Sequence, residues 1–315
     1  MAILSTMPSV PKLYAQAAAQ GIGGSLKGAL VKAFVPKNPL NRTPVVKPPV
    51  SAESAGVVLP EEKFTVQNHR VDREALVKYQ RVMKDTVRDE LPSVFLHAQT
   101  FPVALHAMSQ PEFPLPLMGL VHLANEVDHR RTVRPDEELT VTAWTENPRA
   151  HFAGIQFNAV AEIAVGEDVV WRGVSTYLVK GQFLLGNPER PEREEIDLAS
   201  QRATALWSLG AETGREYAAV SGDFNPIHLS SASAKVAGMK GAIAHGMYSA
   251  GRALAATAPH FEAYQWSITF EQPVFLPAKV SFESHAASDE PGKSEFSGWN
   301  SKKQRRHFVG WIARR

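Results

Sequence analysis

The chain has no cysteine, which excludes disulfides, thiolate metal sites and cysteine nucleophiles together and fits a reducing, cytoplasmic setting. It also lacks any apolar run approaching the roughly 18 to 20 residues that a bilayer-spanning helix needs. Its first residues show no basic start followed by a long apolar segment, so no integral membrane segment is expected. An excess of one charge is missing too. With 34 Lys and Arg against 32 Asp and Glu, the formal charge is +2, and nothing global marks nucleic acid as a partner. What is present is length and apolar content: 315 residues, 44% hydrophobic, enough for two modest cores.

Taken in order, residues 1–59 read as an extended N-terminal segment outside the compact core. A helix is expected over 13–20, interrupted by Gly21, Gly23 and Gly24. A basic amphipathic helix over 25–34, lying on the protein's own surface, and a proline-rich strap over 36–60 follow. Residues 60–185 form a first domain, with a short strand over 63–66. Its helix over 72–85 places Leu76, Tyr79, Gln80 and Met83 at three- and four-residue spacing. A second, short helix over 101–109 has Pro102 in its first turn. Strands over 120–127, 138–146, 151–165 and 167–178 come next, the last two joined at Gly166-Glu167-Asp168. Residues 186–200 are a linker.

Residues 201–315 then repeat the order: strand, helix, loop, apolar helix (247–258) and four strands. Tyr79 to Asp85 aligns with Tyr217 to Asp223, and Val133-Arg134-Pro135 with Phe275-Leu276-Pro277. The copies differ in one stretch. The first has Lys84-Asp85-Thr86-Val87 where the second has Gly222-Asp223-Phe224-Asn225, and Glu90 where the second has His228. The first copy keeps an aspartate but lacks the turn and the histidine.

The second copy's stretch carries chemistry. Gly222 can end the preceding helix at positive φ, and Asn225-Pro226 keeps that helix from resuming. Asp223 then opens a loop that His228 closes, an acid–base pair brought toward one point. An isolated Asp-x-Asn-Pro reads more simply as a cap and a turn. Here, however, Ala244-His245-Gly246-Met247 opens an apolar helix, and a glycine amide at a helix N-terminus suits a developing negative oxygen. Asn225 either fixes the loop, through backbone or the His228 ring, or is a plain turn residue. Ser221 reads as structural, His245 as packing or support, and His122 as a core histidine outside the site. Asp223 and His228 offer a metal two ligands without an evident third, so no metal and no cofactor are expected.

These elements, with the segment from Phe270 to Pro277, resemble the MaoC-like (R)-specific enoyl-CoA hydratases, or hydratase 2, over most of residues 210–285. The whole chain is similar to the double-hotdog 3-hydroxyacyl-thioester dehydratases of actinobacterial lipid metabolism. The resemblance implies an α+β double hotdog: two antiparallel sheets, each wrapped around an apolar helix and paired edge to edge. It implies reversible syn hydration of trans-2-enoyl thioesters, carried by CoA or acyl carrier protein, to (R)-3-hydroxyacyl thioesters. Asp223 and His228 would be catalytic, Gly246 the oxyanion donor, Gly222, Asn225 and Pro226 loop supports, and Met247 a substrate contact. Lys235, Lys240 and Arg252 are candidates for the carrier's phosphates by sequence proximity. The first copy would line a channel for the acyl tail or serve as a structural partner. Two alternatives stay open: a hotdog thioesterase, and a non-catalytic acyl-thioester-binding or assembly subunit. Acyl length, direction and homodimer formation are not specified.

Overall fold

The computed structural model describes residues 1–23, 56–192, 196–257, 261–288 and 290–315. The basic helix expected over 25–34 lies outside them, as does most of the strap. The chain opens with β1 (Ala2–Leu4) and α1 (Val10–Gly23). The first half then runs β2 (Phe64–His69), α2 (Arg73–Val82), α3 (Ser93–Met108), β3 (Val121–His129), β4 (Leu139–His151), β5 (Gly154–Val165) and β6 (Asp168–Lys180). The second half follows as β7 (Ala205–Leu209), α4 (Thr213–Ser221), α5 (Pro226–Leu229), α6 (Ser231–Val236), α7 (Gly246–Thr257), β8 (Tyr264–Phe270), β9 (Ala278–Ala286), β10 (Lys293–Asn300) and β11 (Arg305–Arg314).

Local chemistry explains most of these boundaries. The Asp72 carboxylate accepts the Glu74 amide and starts α2, whose Leu76, Tyr79 and Gln80 are buried. Along β4, buried and less buried residues alternate over Leu139 to Ala143, as a strand with one face on a core requires. Gly222, at φ 75°, ends α4 in the left-handed conformation.

All strands join one sheet in the order β1-β2-β4-β5-β6-β3-β8-β11-β10-β9-β7. Numbering each half's strands in its own chain order, both halves read 1-3-4-5-2 from the outer edge to the middle. The duplication is therefore one of topology as well as sequence. The halves meet along β3 and β8, antiparallel from Ala124↔Thr269 to His129↔Tyr264, so two edges that would otherwise attract other strands cover each other. α3 and α7 supply the central helices. One core cluster runs through both halves, including Tyr79, Phe95, Trp171, Tyr217, Tyr248, Trp266 and Phe282. This is an α+β double hotdog.

Several expectations need correction. The helix expected over 101–109 begins at Ser93, directly after Pro92, and Pro102 sits in its interior. The missing amide costs one backbone hydrogen bond, but twelve of the sixteen residues of α3 are buried, and that burial outweighs the local penalty. Residues 1–23 do not stay outside the fold: β1 pairs in parallel with β2. Helix α1 continues through Gly21 and buries Val10, Leu13 and Ala17 against the first half. The repeat alignment near Val133 shifts by one residue. Leu91 N–H donates to the Val133 carbonyl as Ala244 N–H does to Val274, which makes Val133 the counterpart of Val274.

Candidate active site

The loop between α4 and α7 folds as its residues dictate. After Gly222, the Asp223 amide donates to Ser221 Oγ at 3.3 Å, which gives Ser221 the structural part expected of it. The Asn225 amide donates to Asp223 Oδ1 at 3.1 Å. Asn225 then caps a new helical turn, its side chain accepting the Ile227 amide at 3.3 Å, with Pro226 at the first helical position, where a missing N–H costs nothing. The expected plain loop is thus partly helical, and α5 presents His228. Its imidazole is buried and its Nδ1 lies 2.8 Å from the Ile243 carbonyl. A carbonyl only accepts, so Nδ1 carries the proton and Nε2 keeps its lone pair. Gly214 lets α4 approach: a Cβ there would fall 1.9 Å from the His228 carbonyl oxygen.

Opposite this loop, the chain from Ala242 to Ala244 pairs with the segment around Phe275 and delivers His245 and Gly246 to the start of α7. The first amides of a helix have no intrahelical acceptor. Gly246 sits beneath the Phe270 ring, and a Cβ added there would come 2.9 Å from Phe270 Cζ. Met247, expected at the substrate, is buried in the main core.

His245 takes a packing and supporting part, as expected. Its ring stacks on His228 with centroids 3.7 Å apart, and its Nε2 lies 3.0 Å from the Asp223 carbonyl oxygen, pinning the backbone that carries the carboxylate. One ligand atom from each of Asp223, His228 and His245 lies within 4.8 Å of the others, a third group that sequence spacing did not reveal. By distance alone the trio could face a cation. His245 Nε2–H is donated to the Asp223 carbonyl, so a third ligand would have to come from its Nδ1, which is buried and has no hydrogen-bond partner among the described residues. The arrangement suits a shared water: two acceptors this far apart can hold the two O–H bonds of one molecule.

Electrostatics follow from burial. Desolvation pushes the Asp223 carboxyl above the ordinary carboxylate range, opposed by His228, the Asn225 amide and Tyr14. Desolvation likewise pulls His228 below the ordinary histidine range, opposed by the Asp223 charge and the bond to Ile243. The result is a neutral imidazole beside a carboxylate of enhanced basicity. The Asp223 side chain is still 22% exposed while that of His245 is 3% exposed, so solvent reaches the carboxylate and not the His245 ring.

Four residues here were not foreseen. Tyr14 Oη donates to Asp223 Oδ1 at 3.2 Å. Tyr177 of β6 is partly buried and close enough to Asp223 for the carboxylate's charge to help hold its phenol well above the usual range, after desolvation itself. Phe270 covers Gly246. His122, assigned to the core, stacks on Tyr177 and lies 5.2 Å from Phe270, at the back of the same site. It is held neutral by burial, with a pKa lowered to about 4. Only the alternating strand pattern placed His122 and Tyr177 on sheet faces; nothing local paired them with Asp223. Of the cations considered for the carrier's phosphates, Arg252 is engaged with the Tyr248 hydroxyl and the Trp207 ring.

Comparison with known proteins agrees with this architecture. The MaoC like domain matches residues 190–303. The 3-hydroxyacyl-thioester dehydratase X of Mycobacterium tuberculosis is 32% identical over 221 residues, 70% of this chain and 79% of that one. A crystal structure of HtdX from the same organism superposes with a TM-score of 0.69 at 29% identity, covering 80% of this chain and 99% of the other. A MaoC-like dehydratase from Phytophthora capsici, 19% identical with a TM-score of 0.61 and covering 82% and 96%, shares the fold. The chain belongs to the MaoC-like dehydratase family.

Proposed function

We propose that the chain interconverts trans-2-enoyl thioesters and (R)-3-hydroxyacyl thioesters through one water held by Asp223 and His228. What supports this reading is that Asp223, His228 and His245 bring one ligand atom each within 4.8 Å of one another, and that His245 leads directly into Gly246 at the start of α7. In the hydration direction the water oxygen forms a bond to Cβ as its proton passes to the Asp223 carboxylate. The C=C electron pair moves onto the thioester oxygen, where the Gly246 amide and the helix N-terminus stabilise the enolate. As the enolate collapses, the proton held by Asp223 passes to Cα on the same face, which regenerates the carboxylate and completes syn addition. His228 Nε2 accepts the water's other O–H and fixes its lone pair toward Cβ.

The division of labour follows from magnitudes. Even with its basicity raised by burial, a carboxylate is a weak base for water, so neither component is sufficient alone. A positioned acid or base contributes about 10² to 10⁴ in rate and one oxyanion donor about 10² to 10³. The (R) outcome is what the family resemblance implies, and a 3-hydroxyacyl thioester is also what the name of the tuberculosis relative states. Thioesters of CoA or acyl carrier protein are intracellular, which would place the chain in the cytoplasm. Glycine 222, Asn225 and Pro226 support the loop, and the first half shapes the acyl side of the site.

Incubation of the full chain with crotonyl-CoA tests the reading. Loss of the enone absorbance with formation of (R)-3-hydroxybutyryl-CoA is expected. Release of free thiol would instead indicate hydrolysis, and no change with short or long enoyl chains would leave binding without catalysis; either overturns the proposal.

A further inference from the structure

We propose that Tyr14, carried by α1 ahead of both halves, is a positioning residue of this active site: its hydroxyl holds the Asp223 carboxylate so that one oxygen is committed and the other faces the water. The proposal rests on reading Asp223 as the base. Its geometric ground is the pair of donors on Oδ1, the Tyr14 hydroxyl at 3.2 Å and the Asn225 amide at 3.1 Å. Together they occupy the lone pairs of that oxygen. Oδ2 is left for the reaction, 3.8 Å from His245 Nε2.

The contact spans 209 residues of sequence, so it depends on how α1 is docked. Val10, Leu13 and Ala17, at intervals of three and four residues, form one buried stripe. That stripe belongs to a cluster with Leu105 and Met108 of α3, Phe113 and Phe157, and Tyr14 and Tyr177 pack against the same cluster. The helix is therefore seated on the first half while its tyrosine reaches into the second. A hydroxyl donated to a buried carboxylate favours the ionised form and fixes its orientation. Burial and the Asp223 charge hold the Tyr14 phenol well above its ordinary range, so it stays a donor.

Five titratable groups face Asp223: Tyr14 from α1, Tyr177 from β6, Tyr217 from α4, His228 from α5 and His245 at the start of α7. Burial and the Asp223 charge hold the phenols of Tyr177 and Tyr217 far above neutral pH, and His228 and His245 are held below the usual histidine range by burial. The lower limb of the pH–rate profile then reports mainly Asp223.

Tyr14→Phe tests the proposal, because the ring keeps its packing and only the hydroxyl is lost. We expect kcat for crotonyl-CoA to fall by about ten- to a hundredfold, the scale of a hydrogen bond to a charged group. KM should be little changed, and the acidic limb should move up by roughly one pH unit. Leu13→Ala, which loosens α1 without touching Asp223, supplies the second arm. It should lower kcat in the wild-type background and have much less effect in Tyr14→Phe, since both act through one contact. Tyr14→Phe with unaltered rate and pH profile, a higher rate showing that the tyrosine blocks the water, or strictly additive losses would each overturn the proposal. Asp223→Asn measured alongside separates the two levels: if it retains turnover, the reading of the base fails first.

Discussion

The two halves of the chain share a topology and differ at the place where chemistry would occur. After α2 the backbone turns left-handed at Lys84, φ 54°, as it does after α4 at Gly222, φ 75°. The turn expected to be missing from the first half is therefore retained in backbone form. The aspartates that follow have opposite fates. Asp85 is tied to Arg88 at 2.6 Å, whereas Asp223 meets a phenol, an amide and two imidazoles and no guanidinium among the described residues. The helix N-termini diverge as well. Ser93, which opens α3, accepts the indole N–H groups of both Trp171 and Trp266 on its Oγ at 2.8 Å, while Gly246, which opens α7, presents bare backbone under Phe270. The first half thus keeps the fold with its carboxylate paired to a guanidinium and its helix terminus carrying a hydroxyl bound to two indoles.

Removing the histidine is the largest test of that contrast apart from the base itself. His228→Ala should lower kcat for crotonyl-CoA by about 10² to 10⁴, while Glu90→Ala, at the matching place in the first half, should leave the steady-state rate at the wild-type level. A smaller but opposite pair of effects is expected in stability. Folding raises the Asp223 pKa, so the folded chain binds that proton more tightly than the unfolded chain does. The resulting stabilisation is present below the ordinary aspartate value of about 3.9 and is lost as pH rises through the raised folded value. At neutral pH the buried charge is thus a net cost, and Asp223→Asn should raise Tm there, with the gain shrinking as pH falls toward 4. Asp85→Asn should lower Tm, because it breaks the pair with Arg88. Thermal melts across pH check both signs.

The smallest effects concern the turns. Lys84→Gly should stabilise the chain by about 1 kcal/mol, by relieving a left-handed non-glycine residue. Gly222→Ala should cost a similar amount, about 1 kcal/mol, for the same reason in reverse. A Cβ at Gly222 would meet nothing within 4 Å, so that cost is conformational and not steric. Denaturant midpoints of the two variants decide whether the turns are equivalent.

Sequence made the site's local part legible. Gly222, Asn225 and Pro226 each dictate backbone within two residues of themselves, and the carboxylate and imidazole follow from where that backbone leads. The duplicated topology was legible too, because strand alternation and the order of elements survive divergence. Tertiary override hid the rest. Pro102 reads as a helix start until the burial of most of α3 shows why the helix tolerates it. His245 is next to Gly246 in sequence, yet its stacking on His228 depends on how the Ala242–Ala244 segment pairs near Phe275. Tyr14 belongs to a helix with a modest apolar stripe, and its link to Asp223 requires two halves of a sheet to be assembled first. His122 reads as core because it stands in an apolar strand; its neighbours Tyr177 and Phe270 come from other strands.

The central claim is that one base, in one half, drives the reaction. Measuring kcat/KM for crotonyl-CoA hydration with wild-type, Asp223→Asn and Asp85→Asn chains tests it most directly. The account predicts a loss of about 10² to 10⁴ for Asp223→Asn and a wild-type value for Asp85→Asn. Wild-type turnover by Asp223→Asn, or its disappearance in a folded Asp85→Asn chain, would contradict it.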